Sequence, residues 1–182
     1  MPGPFSLPPA VDQFDQAVDR AWDTIRGNPV ADRVFYAASE MGDFGLIWMG
    51  VAALHAIGGD PRQGRALLRL AAALGIESLA VNQGLKRLFR RERPSWAAGE
   101  RPHGLRQPST SSFPSGHSTS AVTAAILISQ TSPLPSAVWW CMAGVVATSR
   151  VHVKIHHASD VIGGLMVGAV IGTLLERAIP VR

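Results

Sequence analysis

The sequence predicts an all-α, membrane-embedded helical bundle of about five transmembrane helices, preceded by N-terminal interfacial helices. Hydrophobic residues make up 47% of the 182 residues and charged residues only 16%, whereas an ordinary soluble domain has about 25% charged residues. Five apolar segments follow one another along the chain. None of them alternates cleanly between apolar and polar residues, as a half-buried strand would.

The N-terminal region is amphipathic. Residues 1–10 lack the basic region and long apolar core of a signal peptide, and we expect a flexible lead there. A helical apolar stripe then runs through Val11, Phe14, Val18, Trp22 and Ile25. Such a helix either lies on a membrane surface or packs on a soluble core. We assign residues 1–40 to the lead and interfacial helix, and residues 41–182 to the transmembrane domain.

The apolar segments are short for membrane spans. They cover residues 44–58, 66–85, 117–131, 136–151 and 159–176. Most have nearer to about 15 than 20 strongly apolar residues, whereas a spanning helix needs about 20, so no segment alone is a strong transmembrane prediction. In the last segment Gly164, Gly168 and Gly172 share one helix face, which predicts close approach of a neighbouring helix.

The positive charge is concentrated in one stretch. Between Lys86 and Arg106 there are seven basic and two acidic residues, while the whole chain carries only +4. This predicts an anion bound there; the alternative is a basic stretch that contacts anionic lipid head groups. The single cysteine, Cys141, excludes an internal disulfide and a cysteine-based zinc site.

Three clusters carry the candidate chemistry. In the first, Lys86 and Arg93 supply cations suited to phosphate oxygens, and Pro94 turns the chain. In the second, Pro114-Ser115-Gly116-His117 opens an apolar helix. The first amides of a helix form an anion site. Ser115 would cap this helix, and Gly116 would let an anion approach the backbone. His117 would stand beside the anion as general acid.

The third cluster contains Arg150, His156 and Asp160. Arg150 is a further anion ligand. His156 and Asp160 are four residues apart, so they share a face on a helix. A carboxylate bonded to one ring nitrogen fixes the tautomer and makes the other nitrogen a better nucleophile. Together the clusters have the groups required for metal-free phosphoryl transfer through a phosphohistidine.

These motifs resemble the type 2 phosphatidic acid phosphatase (PAP2) family, which is related to the vanadium-dependent haloperoxidases. The family pattern is K-x6-R-P, then P-S-G-H, then S-R-x5-H-x3-D. The chain has Lys86 to Arg93-Pro94, then Pro114 to His117, then Ser149-Arg150 to His156 and Asp160, in this order and with these internal spacings. The resemblance covers about 75 residues and implies a PAP2/haloperoxidase-like helical core.

The resemblance also implies roles for these residues. Phosphate oxygens would be held by Lys86, Arg93, Ser115, Gly116 and Arg150. His156 would attack phosphorus and Asp160 would orient it. His117 would protonate the leaving alcohol and then activate water. The resemblance implies no metal and no cofactor.

The resemblance implies a multi-pass hydrolase of the cell membrane. Its expected partners are a phosphorylated lipid substrate and membrane lipids, and no nucleic acid. The short, Arg- and Ala-rich form resembles actinobacterial members, which suggests a polyprenyl-linked substrate such as decaprenyl-phosphoryl ribose 5-phosphate or undecaprenyl pyrophosphate. Phosphatidylglycerophosphate and phosphatidate are alternatives. With five spans, twelve Lys and Arg residues fall on the side of the motifs and five on the other. This excess favours a cytoplasmic site, although three of the twelve are the phosphate ligands, so the side of the site stays open. The sequence does not define the oligomeric state.

Other interpretations stay open at this point. The same cradle would hold vanadate in a haloperoxidase, and a non-catalytic lipid-binding or transport protein is a third class. His152, His156 and Asp160 could form a metal-binding face. The arginines outside the motif are expected to contact lipid head groups or to lie in a solvated loop, and the alternative is a role in substrate recognition. They are Arg87, Arg90, Arg91, Arg101 and Arg106.

Overall fold

The fold is all-helical in the part of the chain that the structure, a computed structural model, describes: residues 7–57, 60–95 and 108–181. Arg101, Arg106 and most of the expected N-terminal lead lie outside these residues. The helices are α1 (Pro9–Trp22), α2 (Pro29–Met41), α3 (Leu46–Ala56), α4 (Pro61–Leu79), α5 (Lys86–Leu88), α6 (Gly116–Ile128), α7 (Ser136–His152) and α8 (Ala158–Ala178). The described residues contain no strand, so the prediction of an all-α fold is confirmed.

Local sequence accounts for the helix starts. Pro occupies the first turn of α1, α2 and α4, where its missing N–H and fixed φ cost nothing. The Asn28 side chain accepts hydrogen bonds from the first amides of α2, and Asp60 does so for α4. Between α4 and α5 the chain widens into a π-helical turn, Ala80–Leu85, a rare conformation found often at functional sites.

Helix α6 is the centre of the bundle and packs against α4, α7 and α8. The glycine stripe of α8 is buried against it, as predicted. A Cβ atom at Gly164 would lie 2.4 Å from the Ser115 carbonyl oxygen, and one at Gly168 would lie 2.5 Å from that of Thr119. Only glycine allows this backbone approach, which fixes the start of α6 beside the start of α8.

The N-terminal helices cover one side of this core. Val18 and Trp22 of α1 pack against Val151 and Val161 of α7 and α8, and α2 packs against α7. The predicted amphipathic helix therefore exists, and its apolar face contacts protein.

Length and composition support one membrane span among the described helices. Helix α8, with 21 residues and a mean hydropathy of 1.8 over its most apolar window, is the one that qualifies. Helices α3 and α6 are apolar but have 11 and 13 residues, and at 1.5 Å per residue they are shorter than a hydrocarbon core of about 30 Å. The predicted number of five spans is therefore not established by helix length.

Candidate active site

The three predicted clusters meet at one end of the bundle, around a cavity of about 580 Å³. Six of the eight predicted site residues line this cavity. They are Lys86, Arg93, Gly116, His117, Arg150 and His156. The other two, Ser115 and Asp160, are fully buried; Ser115 adjoins the lining residue Gly116 in the chain, and Asp160 Oδ2 lies 3.5 Å from Nδ1 of the lining residue His156.

The start of α6 forms one wall. Ser115 caps the helix by accepting a hydrogen bond from the Ser118 N–H, at 3.4 Å, and its own N–H donates to the Asp160 carbonyl, at 3.0 Å. The predicted cap is thus confirmed. The Ser115 hydroxyl is buried and contacts the Ser118 hydroxyl at 3.0 Å, so a contact between Ser115 and phosphate stays a prediction. A Cβ atom at Gly116 would stand 3.9 Å from the Lys86 ammonium, in the space between that cation and the helix amides.

Carbonyl groups hold the Arg93 side chain in place. Its guanidinium donates to the carbonyls of Pro108, Thr110, Ser111 and Ile155 at 3.0 to 3.3 Å. The segment before α6 therefore serves as a scaffold for the first motif. One Arg93 nitrogen, Nη1, also lies 3.2 Å from His156 Nε2.

A tight turn after α7 brings Arg150 and His156 together. The N–H groups of Ile155 and His156 both donate to the Arg150 carbonyl, at 3.1 Å. Lys154 adopts a left-handed conformation, with φ of 49°, which lets the chain reverse here. The Arg150 guanidinium is buried and donates to the Ser39 hydroxyl.

The contacts of His156 define its tautomer. A guanidinium only donates hydrogen bonds, so Nε2 beside Arg93 presents its lone pair. The proton is then on Nδ1, which lies 3.5 Å from Asp160 Oδ2 and has no other partner among the described residues. Burial lowers the pKa of His156 well below its usual value, and the positive charges of Arg150 and Arg93 lower it further, against the opposing effect of Asp160. The ring is therefore neutral, and the Nε2 lone pair faces Arg93 Nη1 at 3.2 Å.

Asp160 is held through both carboxylate oxygens. Oδ2 accepts a hydrogen bond from the His157 N–H, at 2.9 Å, in a capping box at the start of α8. Oδ1 accepts one from Arg91 Nη1, at 2.6 Å. His156 precedes α8, so the two residues do not share a helix face as predicted; the capping turn brings them together.

The prediction that Arg91 contacts lipid head groups or lies in a solvated loop is wrong. Its side chain is 14% exposed and forms ion pairs with Asp160 and with Asp15 of α1. Asp15 also accepts hydrogen bonds from the Ser159 N–H and hydroxyl, at 2.8 and 2.7 Å. One signal was available: Asp15 lies four residues after Val11 and three before Val18, a charge on the apolar face of α1.

The residues that surround His117 were also not predicted from the sequence. Its Nε2 lies 3.1 Å from Asp43 Oδ1 and 3.2 Å from the Ser39 carbonyl oxygen. The ring packs on Gly42, where a Cβ atom would be 2.7 Å from His117 Cδ2. Ser39 contacts His117 through its carbonyl and Arg150 through its hydroxyl, so the end of α2 aligns these two side chains. Ser39 and Asp43 belong to no motif, and the sequence offered no signal for them.

The metal-face alternative does not match the geometry. Helix α7 ends at His152, so His152 and His156 are not on one helix. His152 Nδ1 accepts a hydrogen bond from Trp22 Nε1 at 3.1 Å, and Nε2 lies 2.8 Å from Asp32 Oδ1. Both ring nitrogens are thus engaged away from His156. Within the described ranges, no group of three or more His, Cys, Asp or Glu side chains is placed to bind a metal ion.

With this geometry, comparisons with known proteins identify the family. Residues 66–182 match the PAP2 superfamily, and the chain belongs to that family. Two relatives are named decaprenylphosphoryl-5-phosphoribose phosphatase. The one from Mycobacterium tuberculosis is 34% identical over 138 residues, which are 76% of this chain and 75% of the relative. The one from Mycolicibacterium smegmatis is 33% identical over 128 residues, or 70% and 68% of the two chains.

Solved structures share the fold. A transmembrane PAP2-type phosphatidylglycerolphosphate phosphatase from Bacillus subtilis superposes with a TM-score of 0.74 at 25% identity, over 94% of this chain and 87% of that one. LpxE from Aquifex aeolicus superposes with a TM-score of 0.70 at 22% identity, over 89% and 94% of the two chains. The predicted family is thus confirmed. The curated relatives carry phosphatase names, which gives no support to the haloperoxidase and transport alternatives.

Proposed function

We propose that the chain is an integral membrane phosphatase that removes the terminal phosphate of a polyprenyl-phosphoryl ribose 5-phosphate, such as the decaprenyl lipid, through a phosphohistidine. One observation carries the mechanism: neutral His156 presents Nε2 to a cavity lined by Lys86, Arg93 and Arg150. The names of the 34% and 33% identical relatives support the substrate.

The residues divide the reaction between them. His156 Nε2 forms a bond to phosphorus while the bond to the ribose oxygen breaks, and His117 gives that oxygen a proton. A water molecule then attacks phosphorus, His117 takes its proton, and the bond to Nε2 breaks to release inorganic phosphate. Lys86, Arg93, Arg150 and the first amides of α6 stabilise the negative charge of both transition states. Asp160 stabilises the proton on His156 Nδ1.

The walls of the cavity suit an amphiphilic substrate. Ser78, Asn82 and Ser120 offer hydrogen-bonding groups beside the cations, which fit the hydroxyls of a ribose. Met49 and Leu74 provide an apolar side toward α3 and α4, which fits a lipid chain. The fold neighbour from Bacillus subtilis, named for phosphatidylglycerolphosphate, makes that lipid the second candidate substrate.

The outer surface supports insertion into the cell membrane. Ile162, Met166, Val170 and Leu174 form a stripe along α8 opposite its glycines and are 46% to 66% exposed. Exposed apolar residues on α3 and α4 extend this surface, among them Leu54, Leu68, Ile76 and Leu79. A surface of this kind is unusual on a soluble monomer. We therefore propose five transmembrane segments built on α3, α4, α6, α7 and α8, of which α3 and α6 cover only part of the hydrocarbon thickness as helix. They form a domain of residues 41–182, with residues 1–40 at the interface on the side of the site.

The test is release of inorganic phosphate by the detergent-purified protein in the presence of EDTA. The panel contains a polyprenyl-phosphoryl ribose phosphate, phosphatidylglycerophosphate, phosphatidate and a polyprenyl diphosphate. We expect release that survives EDTA, is fastest with the ribose phosphate and is lost in His156→Ala. His55→Ala, in α3 and outside the cavity lining, is the matched control for loss of a histidine ring. Release that EDTA abolishes, or that persists in His156→Ala, would contradict the phosphohistidine mechanism.

A further inference from the structure

A chain of buried charges links the N-terminal helix to the site. Asp15 of α1 pairs with Arg91 at 2.5 Å, and Arg91 pairs with Asp160 at 2.6 Å. We propose that Arg91 is a positioning residue for the phosphohistidine reaction, and that Asp15 makes helix α1 a functional part of the active site. The inference rests on the proposed function and adds to it two residues that the three motifs do not specify.

Arg91 determines which Asp160 oxygen faces the nucleophile. A carboxylate has two equivalent oxygens and rotates freely unless they are bonded differently. Here Oδ1 accepts a hydrogen bond from Arg91 Nη1 at 2.6 Å. Oδ2 accepts one from the His157 N–H and faces His156 Nδ1. Loss of Arg91 would release the carboxylate to turn, and the proton on Nδ1 would lose its acceptor. The free lone pair on Nε2 depends on that proton staying at Nδ1.

Asp15 in turn holds Arg91. The Asp15 side chain is 3% exposed, which is rare for a carboxylate unless it is fully paired. Its Oδ2 accepts from Arg91 Nη2 and the Ser159 hydroxyl, and its Oδ1 accepts from the Ser159 N–H. Asp15 therefore ties Arg91 to the first turn of α8, the turn that carries Asp160. Removing it would leave buried donors unsatisfied beside the catalytic carboxylate.

Helix α1 contributes this contact from outside the region that defines the family. The family match begins at residue 66, and Asp15 lies 76 positions before Arg91. A neighbour on the same helix offers a matched control. Asp12 also faces Arg91 Nη2, but at 3.3 Å with its side chain 65% exposed, and an exposed ion pair contributes little.

The experiment compares Arg91→Gln, Arg91→Lys and Asp15→Asn with the control Asp12→Asn, all as full chains in detergent. Four quantities are measured with the best lipid substrate: kcat, KM, competitive inhibition by inorganic phosphate, and Tm. We expect Arg91→Gln and Asp15→Asn to lower kcat about 10- to 100-fold, the usual cost of losing a residue that orients a ligating or catalytic side chain. Phosphate inhibition should stay within about twofold because Lys86, Arg93 and Arg150 are unchanged.

Two further comparisons separate positioning from a merely structural tether. Arg91→Lys keeps the charge and should recover part of kcat relative to Arg91→Gln. The double variant Asp15→Asn/Arg91→Gln should be no slower than Arg91→Gln alone, because Asp15 acts through Arg91. A purely structural role would instead lower Tm and the active fraction, with no selective change in kcat for the folded enzyme.

The results distinguish this inference from the proposed function. Wild-type turnover that is lost in His156→Ala but unchanged in Arg91→Gln would overturn the inference alone. A loss in Asp12→Asn as large as in Asp15→Asn, or a loss of phosphate inhibition equal to the loss of kcat, would also overturn it. No release by the wild type from any lipid of the panel would overturn the proposed function and, with it, this inference.

Discussion

The two histidines of the cavity each face a carboxylate, but the two carboxylates are held in different ways. Asp160, beside His156, has no solvent exposure, and both of its oxygens are bonded. Asp43, beside His117, is 39% exposed along its side chain. It begins a turn in which Phe44 and Gly45 have φ of 55° and 69°. The carboxylate beside the proposed nucleophile is thus buried and bonded through both oxygens, whereas the carboxylate beside the proposed acid lies partly exposed on a turn that lines the cavity.

This difference matches the two tasks. In the proposed reaction the nucleophile would attack the same phosphorus whatever lipid is bound, so a fixed geometry suits it. The proposed acid, His117, would have to reach first the leaving oxygen and later a water molecule. We infer that the reaction depends more strongly on Asp160 than on Asp43. Four changes test this comparison.

The largest effect is expected from Asp160→Asn. The amide would favour the wrong tautomer of His156, which places the proton on the attacking nitrogen. We expect kcat to fall roughly 10³- to 10⁴-fold, as for the equivalent change in a Ser-His-Asp triad. Single-turnover measurement of phosphate release would check this, with competitive inhibition by inorganic phosphate as the test that the cations are still in place. A loss below tenfold would mean that Asp160 does not set the tautomer.

His117→Gln should have the next largest effect. Removing a general acid costs about 10²- to 10⁴-fold, and the cost depends on the leaving group. With an aryl phosphate, whose leaving group needs no proton, the first step should recover in His117→Gln but not in Asp160→Asn. A burst of phenol followed by slow phosphate release would show that the second step still lacks its base. Equal losses with both substrates would exclude His117 as the acid.

Asp43→Asn should be the mildest of the three substitutions. The amide can still accept a hydrogen bond from the His117 ring, and the Ser39 carbonyl remains 3.2 Å from Nε2. We expect a loss in kcat of about tenfold, within the range for residues that orient a functional histidine. It should be confined to substrates with a poor leaving group. A loss as large as that of Asp160→Asn would refute the comparison.

The smallest effect concerns stability against pH. Burial lowers the pKa of His156 in the folded protein below its usual 6.5, so the unfolded chain binds the extra proton first as pH falls. The contribution of neutral His156 to the free energy of unfolding is therefore fully present above pH 6.5. It decreases below pH 6.5 by about 1.4 kcal/mol per pH unit. His156→Gln should show a smaller drop in Tm between pH 7.5 and 5.5 than the wild type. The same drop in both proteins would mean that His156 is not held neutral.

Sequence reasoning succeeded where a short stretch of chain holds the whole signal. The three motifs carry their residues within a few positions of one another, and the helix amides at Gly116 follow from local capping rules. The spacing of Gly164, Gly168 and Gly172 likewise places the three residues on one helix face, because a helix has a fixed period. These features do not depend on what lies across the bundle.

The sequence could not reveal contacts that depend on tertiary packing. Asp15, Ser39 and Asp43 reach the site because α1 and α2 pack on α7 and α8, over separations of up to 144 residues. Arg91 lies among several arginines, and nothing in its local pattern sets it apart from Arg87 or Arg90. The pairing of His156 with Asp160 was predicted from helix periodicity but is made by a capping turn. The number of spanning helices also does not follow from helix length, because α3 and α6, with 11 and 13 residues, are shorter than a hydrocarbon core of about 30 Å.

The glycine stripe of α8 has a consequence for how this enzyme class diversifies. Backbone contact along α6 and α8, with the Ser115 N–H bonded to the Asp160 carbonyl, joins the proposed phosphate-binding turn directly to the carboxylate beside His156. Helices α3 and α4, which provide the apolar wall, lie outside that contact. On the proposed function, we expect exchange of α3 and α4 side chains to change the preferred lipid and to leave the reaction steps unchanged, so a designer seeking a different substrate should vary those two helices first.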